Sequence, residues 1–131
     1  MKILIIEDDP TSLKLAGDVL QAGGHMVMLA ISADQAIQSI NTVKPDAILL
    51  DLRLKGIRGL AVARQCREEP ATRDIPILAV TAYTAEYDKG AATKAGCDAY
   101  ITKPINIHTL SQQIEEVVAA KAQQTLADNQ S

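Results

Sequence analysis

Short apolar runs alternate with amphipathic segments along this chain, and that alternation constrains the fold more than any other feature. The run at residues 3–6 is continuous and rich in branched side chains, which is typical of a strand buried on both faces. Strands are predicted over residues 2–6, 25–30, 46–50, 77–80 and 99–102. Strands that alternate with helices pair in parallel through right-handed crossovers. The sequence therefore predicts an α/β protein with three layers: a five-stranded parallel sheet between two layers of helices.

Local signals mark where the intervening helices begin and end. Asp9 is a suitable N-cap and Pro10 suits the first helical position, while Gly23 and Gly24 end this first helix. The pattern Ser-x-x-Gln at residues 32–35 is a capping box that opens the second helix. Further helices are predicted over about residues 60–68 and 84–95, and a last one begins near residue 106.

Size and composition limit the class of protein. A chain of 131 residues fits one domain, predicted here as residues 1–120, with a tail at 121–131 that extends the last helix or is disordered. The net charge of -3, without a basic stripe, argues against nucleic-acid binding. A signal peptide and an apolar stretch of about 18 residues are both missing, so we expect a soluble cytoplasmic protein. Cys66 and Cys97 are expected to be reduced, buried thiols.

Polar side chains follow four of the predicted strands at the point where each strand ends. Glu7 and Asp8 follow the first strand, Asp51 the third, Thr81 the fourth and Lys103 the fifth. In open parallel sheets, ligands bind outside the carboxyl ends of the strands, where the strand order reverses. We therefore expect these five side chains to line one crevice.

The residue types in this crevice indicate a hard cation next to a phosphoryl group. Carboxylates that lie close together repel one another unless a cation separates them. Glu7, Asp8 and Asp51 offer only oxygen ligands, which suit Mg²⁺ rather than zinc. The Lys103 ammonium could pair with Asp51 or with a phosphoryl oxygen, and the Thr81 hydroxyl could donate a hydrogen bond to the same oxygen.

On these residues the chain resembles the receiver domain of two-component response regulators, from residue 2 to about residue 118. The resemblance rests on five features: Glu7-Asp8, Asp51 with Gly59 in the following loop, Val80-Thr81-Ala82, Tyr100, and Lys103-Pro104. It implies a flavodoxin-like fold with strand order 2-1-3-4-5 and a cis peptide bond before Pro104.

The resemblance also implies a role for each site residue. Asp51 would be the phosphoacceptor, taking the phosphoryl group from a sensor histidine kinase or a histidine phosphotransfer protein. Mg²⁺ would be held by Glu7, Asp8, Asp51 and the backbone carbonyl of Arg53. Thr81 and Lys103 would then bind the oxygens of the transferred group.

Signal output is implied in the same way. Thr81 would move toward the phosphoryl group and Tyr100 would follow it inward, which remodels the face of the fourth helix, fifth strand and fifth helix where a downstream protein binds. Arg53 and Tyr83 would flank the phosphoryl group, and our hypothesis is that they shield it from water. The first helix near Thr11, Ser12 and Leu15 is an expected kinase-docking surface.

The resemblance describes a switch with weak self-phosphorylating and self-dephosphorylating activity rather than an enzyme. One departure from the family is the stretch Lys55-Gly56, where a proline is common, which leaves the geometry of that loop open. A Mg²⁺-dependent phosphohydrolase would need a general acid two residues after the nucleophile, where this chain has Arg53. A flavin carrier would need a phosphate-binding loop after the first strand, where this chain has acids. Monomer and homodimer both stay open.

Overall fold

The sheet of the computed structural model has the predicted order. The structure describes residues 1–53, 59–81 and 89–130. Five parallel strands lie in the order β2-β1-β3-β4-β5, which confirms the three-layer, flavodoxin-like prediction. The strands are β1 (Lys2–Ile6), β2 (Met26–Ala30), β3 (Ala47–Asp51), β4 (Ile77–Thr81) and β5 (Ala99–Thr102).

Helices cover both faces of the sheet because alternate residues of each strand point to opposite sides. The helices are α1 (Pro10–Ala22), α2 (Ala33–Val43), α3 (Gly59–Glu68), α4 (Lys89–Ala95) and α5 (Leu110–Gln130). Ile3 and Ile5 of β1 pack with α1 and α5 on one face. Leu4 and Ile6 of the same strand pack with α2, α3 and α4 on the other face. The inner strands β1, β3 and β4 are therefore almost entirely buried.

The predicted helix caps form as the sequence indicates. The Asp9 carboxylate accepts a hydrogen bond from the Ser12 N–H at 3.0 Å, and the Ser32 hydroxyl accepts one from the Gln35 N–H at 3.2 Å. The Gln35 side chain accepts a hydrogen bond from the N–H of Ile31, one residue before the cap. Gly24, with φ of 89°, supplies the left-handed backbone after α1.

The start of α5 differs from the prediction. The helix begins at Leu110 rather than near Asn106. The Asn106 side chain accepts a hydrogen bond from the N–H of His108, and its carbonyl accepts one from the N–H of Leu110, so a turn precedes the helix. At the other end α5 continues to Gln130, which makes residues 121–130 helical, whereas the domain boundary at residue 120 stays a prediction. The predicted start of the fourth helix at residue 84 lies outside the described residues.

Both cysteines are buried free thiols, as predicted. Burial raises the pKa of the Cys66 thiol, and it raises that of Cys97 to about 11. Both groups are therefore protonated at neutral pH. Among the residues that the structure describes, no helix is long and apolar enough to cross a membrane.

Candidate functional site

The site forms where the chain reverses its direction of travel across the sheet. From β1 the chain moves to β2 on one side and then crosses back to β3 on the other side. The connections after β1 and β3 therefore diverge and leave a crevice between the carboxyl ends of these strands. Glu7 directly follows β1 and Asp51 is the last residue of β3, so both acids lie at this crevice.

Three carboxylates meet in the crevice. Glu7, Asp8 and Asp51 each offer an oxygen, and these oxygens all lie within 4.8 Å of one another. Asp51 and Glu7 are buried, with 4% and 6% of their surface exposed, and Asp8 is half-buried. Burial raises the pKa of Glu7 to about 7, and a hydrogen bond and the negative charge of Asp51 act in the same direction. The cluster therefore resists holding all three charges without a cation.

Lys103 brings a positive charge to the same acids. Its Nζ atom lies 3.2 Å from Oδ2 of Asp51 and 3.3 Å from Oε2 of Glu7. Burial acts to lower the pKa of Lys103, but attraction by Asp51 and Glu7 outweighs it, so the pKa is raised. Lys103 is therefore a cation, and the expected pairing with Asp51 is present together with a second ion pair to Glu7.

The backbone around Lys103 is held in place on both sides. The peptide bond between Lys103 and Pro104 is cis, as the resemblance implies. The Lys103 N–H donates a hydrogen bond of 2.8 Å to the carbonyl of Thr81, which joins the ends of β4 and β5. The ammonium thereby stays directed at the acids.

The Asp51 carboxylate is oriented by the backbone that follows it. The N–H of Arg53 donates a hydrogen bond of 2.9 Å to Oδ1 of Asp51, which leaves Oδ2 to Lys103. The N–H of Leu52 donates to the carbonyl of Val80 on β4. Gly59 packs so tightly here that a Cβ atom would lie 2.6 Å from the Asp51 carbonyl oxygen. Only glycine allows α3 to begin this close to the acid.

The structure describes three of the remaining predicted residues. Thr81 ends β4, is fully buried and follows Val80, which pairs with Asp51 in the sheet. Tyr100 on β5 is half-buried and packs against the core formed with α2, α3 and α4. The Arg53 side chain is exposed, whereas Tyr83 lies outside the described residues.

Two contacts in the crevice were not expected from the sequence. The N–H of Asp9 donates a hydrogen bond of 3.3 Å to Oε1 of Glu7, whereas the sequence indicated only a capping role for Asp9. The ion pair between Lys103 and Glu7 joins residues that are 96 positions apart. Contacts over such a separation leave no local signal in the sequence.

Comparison with known proteins agrees with this geometry. The family model described as "Response regulator receiver domain" matches residues 3–115. This chain belongs to that family. The polar-differentiation response regulator DivK of Brucella ovis is 32% identical to the receiver over 113 residues, which covers 86% of this chain and 92% of DivK.

Solved structures of similar receivers support the same assignment. A putative response regulator from Chloroflexus aurantiacus is 33% identical, has a TM-score of 0.85 and aligns over 90% of this receiver and 97% of that chain. The receiver domain of the sensor histidine kinase PA1611 from Pseudomonas aeruginosa is 30% identical, with a TM-score of 0.82 over 90% and 97% of the two chains. That structure has a magnesium ion coordinated in its active site cleft.

Membership of the family establishes the general function. Receiver domains are signalling switches with a phosphoacceptor role in two-component systems, and they interact with histidine kinases or phosphotransfer proteins. The family binds Mg²⁺ at an acidic pocket. The acids of this receiver fit that ion, because the cluster consists of carboxylate oxygens, the ligands that Mg²⁺ prefers.

An apolar groove lies next to the acid crevice of the receiver. It has a volume of about 430 Å³ and lies between α1 and the segment from Lys103 to α5. Leu15 and Ile107 are 51% and 45% exposed in this groove, although both are large apolar side chains. A surface of this kind beside a reactive center suits a partner that delivers a group to that center.

Proposed function

We propose that this receiver accepts a phosphoryl group on Asp51 from a histidine kinase or a phosphotransfer protein. The observation that carries the proposal is the convergence of three carboxylates and one ammonium group at the switch point of the sheet. Asp51 takes part in every element of this arrangement, since it belongs to the acid cluster, pairs with Lys103 and accepts the Arg53 N–H. Glu7 makes the same kinds of contact, but burial raises its pKa to about 7, so Glu7 is partly protonated at neutral pH and is a weaker nucleophile. We therefore assign Asp51 as the nucleophile.

The transfer is a displacement at phosphorus. A carboxylate oxygen of Asp51 attacks the phosphorus atom while the bond between phosphorus and the donor imidazole nitrogen breaks. The other ring nitrogen of the donor imidazole carries a proton, so the electron pair of the broken bond leaves with a neutral imidazole and Asp51 becomes an acyl phosphate. The hydrogen bond from Arg53 to Oδ1 limits rotation of the carboxylate and so lowers the entropy lost on reaching the transition state.

Glu7, Asp8, Asp51 and the backbone carbonyl of Arg53 would hold Mg²⁺, which supplies positive charge to the phosphoryl oxygens. A cation among these acids favours the ionised form of Glu7, and so it opposes the rise in pKa that burial causes. Lys103 is close enough to Asp51 to bind an oxygen of the product in place of the free carboxylate.

Signal output would pass through β4 and β5 to the α4-β5-α5 face. Thr81 ends β4, and its hydroxyl would bind a phosphoryl oxygen. Tyr100 would follow Thr81 inward, which changes the surface that a downstream protein binds. Tyr100 is half-buried on β5, and the proposed switch requires a second, more buried arrangement of this side chain. Partner identity, the cytoplasmic location and the lack of direct nucleic-acid binding stay predictions.

The groove beside Lys103 would receive the phosphodonor. Ser12 and Leu15 of α1, which the sequence indicated as a docking surface, both line it. Docking an apolar helix of the donor there would place its histidine next to the acid crevice, so that binding energy positions the reactants.

Phosphorylation by a small-molecule phosphodonor tests the proposal. The receiver with MgCl₂ and phosphoramidate should gain one phosphoryl group by intact-mass spectrometry, and borohydride trapping should map it to Asp51. Asp51→Asn should lose the label, whereas Asp98→Asn, which changes another paired acid away from the crevice, should keep it. Labelling of Glu7 or Asp8 in the wild-type protein would contradict the assignment.

The proposed shielding by Arg53 and Tyr83 needs a separate measurement. If these side chains exclude water from the acyl phosphate, Arg53→Ala and Tyr83→Ala should each shorten its lifetime several-fold. The decay of the phosphorylated protein after removal of the donor provides the rate. Unchanged decay in both variants would exclude shielding but would leave the assignment of Asp51 intact.

A further inference from the structure

The edge of the sheet formed by β2 is unusually apolar. Within the described residues, β2 pairs with β1 on one side and with no strand on the other. Residues 25–32 contain no lysine, arginine, acid or proline, the residue types with which natural proteins protect an edge strand. Met26, Leu29 and Ile31 are 62%, 51% and 53% exposed. An edge of this kind favours pairing with another extended strand.

A second surface runs along this edge. The edge groove, as we call it, lies between α1 and β2, has a volume of about 260 Å³, and is lined by Leu13, Lys14, Gly17, Asp18, Val27 and Leu29. Its floor is apolar, whereas Lys14 and Asp18 form an exposed ion pair of 2.7 Å at its rim. An occupant with apolar side chains fits the floor, and one that carries a positive and a negative charge one helical turn apart can exchange partners with this ion pair.

We propose that the edge groove is the interface of a symmetric dimer, in which β2 pairs antiparallel with β2 of a second copy. The chain itself carries the two charges on α1 in an order that suits such a dimer. Lys14 and Asp18 are one helical turn apart, so a two-fold axis between them places Lys14 of each copy opposite Asp18 of the other. Each copy therefore places an opposite charge beside each member of the other copy's ion pair.

A single two-fold axis fits both α1 and β2. Gly17 of α1 faces the central residues of β2, because a Cβ atom there would contact Leu29 at 3.5 Å and Val27 at 3.9 Å. Met28 lies midway between Val27 and Leu29 along the strand. One axis through Met28 thus passes close to the midpoint of the ion pair on α1, as a closed two-fold interface requires.

The hydrogen-bonding pattern of β2 is compatible with that axis. Met26 donates its N–H to Met1, and Ala30 accepts a hydrogen bond from Glu7, so the even-numbered residues of β2 bond to β1. In a parallel ladder the intervening residues then direct their N–H and C=O groups outward. With the axis at Met28, Val27 of one copy opposes Leu29 of the other, and each such pair exchanges two hydrogen bonds.

The expected distance between the two copies of α1 is also compatible with this dimer. The helix α1 contacts both β1 and β2. If α1 lies over the space between these strands, it is about one strand spacing of 4.8 Å from the axis. The two copies of α1 would then lie about 10 Å apart, which is within the usual range for packed helices. Gly17, without a side chain, allows this approach where the helices come closest.

Sedimentation equilibrium from micromolar to millimolar concentration tests the dimer. The wild-type protein should shift from monomer to dimer over this range. Leu29→Lys should weaken dimerisation at least about tenfold, because the symmetric interface then contains two like charges. Leu126→Lys, which changes a similarly exposed leucine on α5, should leave the dimer unchanged. Circular dichroism confirms that both variants fold.

A charge exchange makes the test specific to the proposed symmetry. Lys14→Glu should weaken the dimer about tenfold, because the introduced carboxylate then faces Asp18 of the other copy, and the double variant K14E/D18K should restore it. Amide hydrogen exchange should show concentration-dependent protection at Val27 and Leu29.

Three results would overturn the proposal. A wild-type protein that is monomeric at millimolar concentration would leave an extended segment of another protein as the occupant of the groove. Loss of the dimer in L126K, or failure of K14E/D18K to restore it, would place the interface elsewhere. None of these outcomes depends on phosphorylation of Asp51.

Discussion

Two clusters of charged side chains lie at opposite ends of the sheet, and they differ in which sign of charge predominates. At the carboxyl end, Glu7, Asp8 and Asp51 lie together, and Lys103 forms ion pairs with Glu7 and Asp51. At the amino end, Asp98 accepts hydrogen bonds from Arg67 and Lys121, at 2.8 and 2.9 Å, and from the N–H of Ile77 at 2.9 Å.

The amino-end cluster is saturated. Besides Asp98, the Arg67 guanidinium donates to the carbonyls of Gly96, Arg73 and Ile75, which connects α3 to the segments before β4 and β5. Lys121 adds α5 to the same cluster. Such a network connects helices and strands, and it does not require an added ion.

The carboxyl-end cluster has an excess of negative charge. The three carboxylates of the acid cluster and the Lys103 ammonium group together carry a charge of -2 when all four groups are ionised. The pKa of Glu7 is raised by burial, and the hydrogen bond and negative charge of Asp51 act in the same direction. The amino-end cluster instead has two cations for one carboxylate. An excess of clustered carboxylates, rather than the presence of charge, distinguishes a site for a cation from a structural ion network.

The largest expected effect is on stability at the amino end. Asp98→Ala removes the acceptor of three hydrogen bonds, and the side chains involved are only about one-fifth exposed. We expect it to lower the free energy of unfolding by about 2–3 kcal/mol. Asp18→Ala, at an exposed ion pair, should change it by less than about 0.5 kcal/mol. Urea unfolding measures both. Equal effects would show that the amino-end network is not structural.

Gly96 should be nearly as sensitive. It has φ of 105°, and a Cβ atom would lie 2.6 Å from Cγ of Arg67. Gly96→Ala should therefore lower the free energy of unfolding by about 2 kcal/mol through backbone strain and displacement of Arg67. Gly17→Ala, where the nearest side chain is at 3.5 Å, should be neutral or stabilising by up to about 1 kcal/mol. A tolerated Gly96→Ala would mean that the Arg67 network adapts easily.

Magnesium should affect only the carboxyl end. At a free Mg²⁺ concentration about ten times the dissociation constant, the free energy of unfolding should rise by about 1.4 kcal/mol. The gain should be larger at pH 8 than at pH 6, because Glu7, with a pKa of about 7, must release its proton to bind the ion. Asp51→Asn should reduce the gain and Asp98→Ala should retain it. A gain that is equal in both variants would contradict the assignment of the cation site.

The smallest expected effect is the relief of repulsion in the metal-free protein. Because the pKa of Glu7 rises from 4.5 to about 7 on folding, its contribution to stability is greatest at low pH and is lost as the pH rises through this range. Glu7→Gln should therefore raise the free energy of unfolding by about 1 kcal/mol at pH 8, and by less at pH 5. Urea unfolding in the presence of a chelator measures the difference. Destabilisation at pH 8 would mean that the ion pair with Lys103 outweighs burial.

Much of the fold was predictable because its signals are local. The apolar run of β1, the Asp9 cap and the capping box at Ser32 each act within a few residues, and the structure confirms them. The start of α5 was predicted wrongly because hydrogen bonds from the Asn106 turn compete with the helix. The left-handed Lys44 at the end of α2 had no signal other than the proline that follows it.

The sequence by itself determined which elements form and that acids, a hydroxyl and an ammonium follow the strands of a parallel sheet. Only the tertiary structure decided that Lys103 joins Asp51 to Glu7, that Arg67 meets Asp98 at the opposite end, and that Gly17 faces the central residues of β2. The physical reason is the separation along the chain over which each kind of interaction acts. Periodicity and capping depend on neighbours along the chain, whereas ion pairs, burial and pKa depend on which distant segments folding brings together.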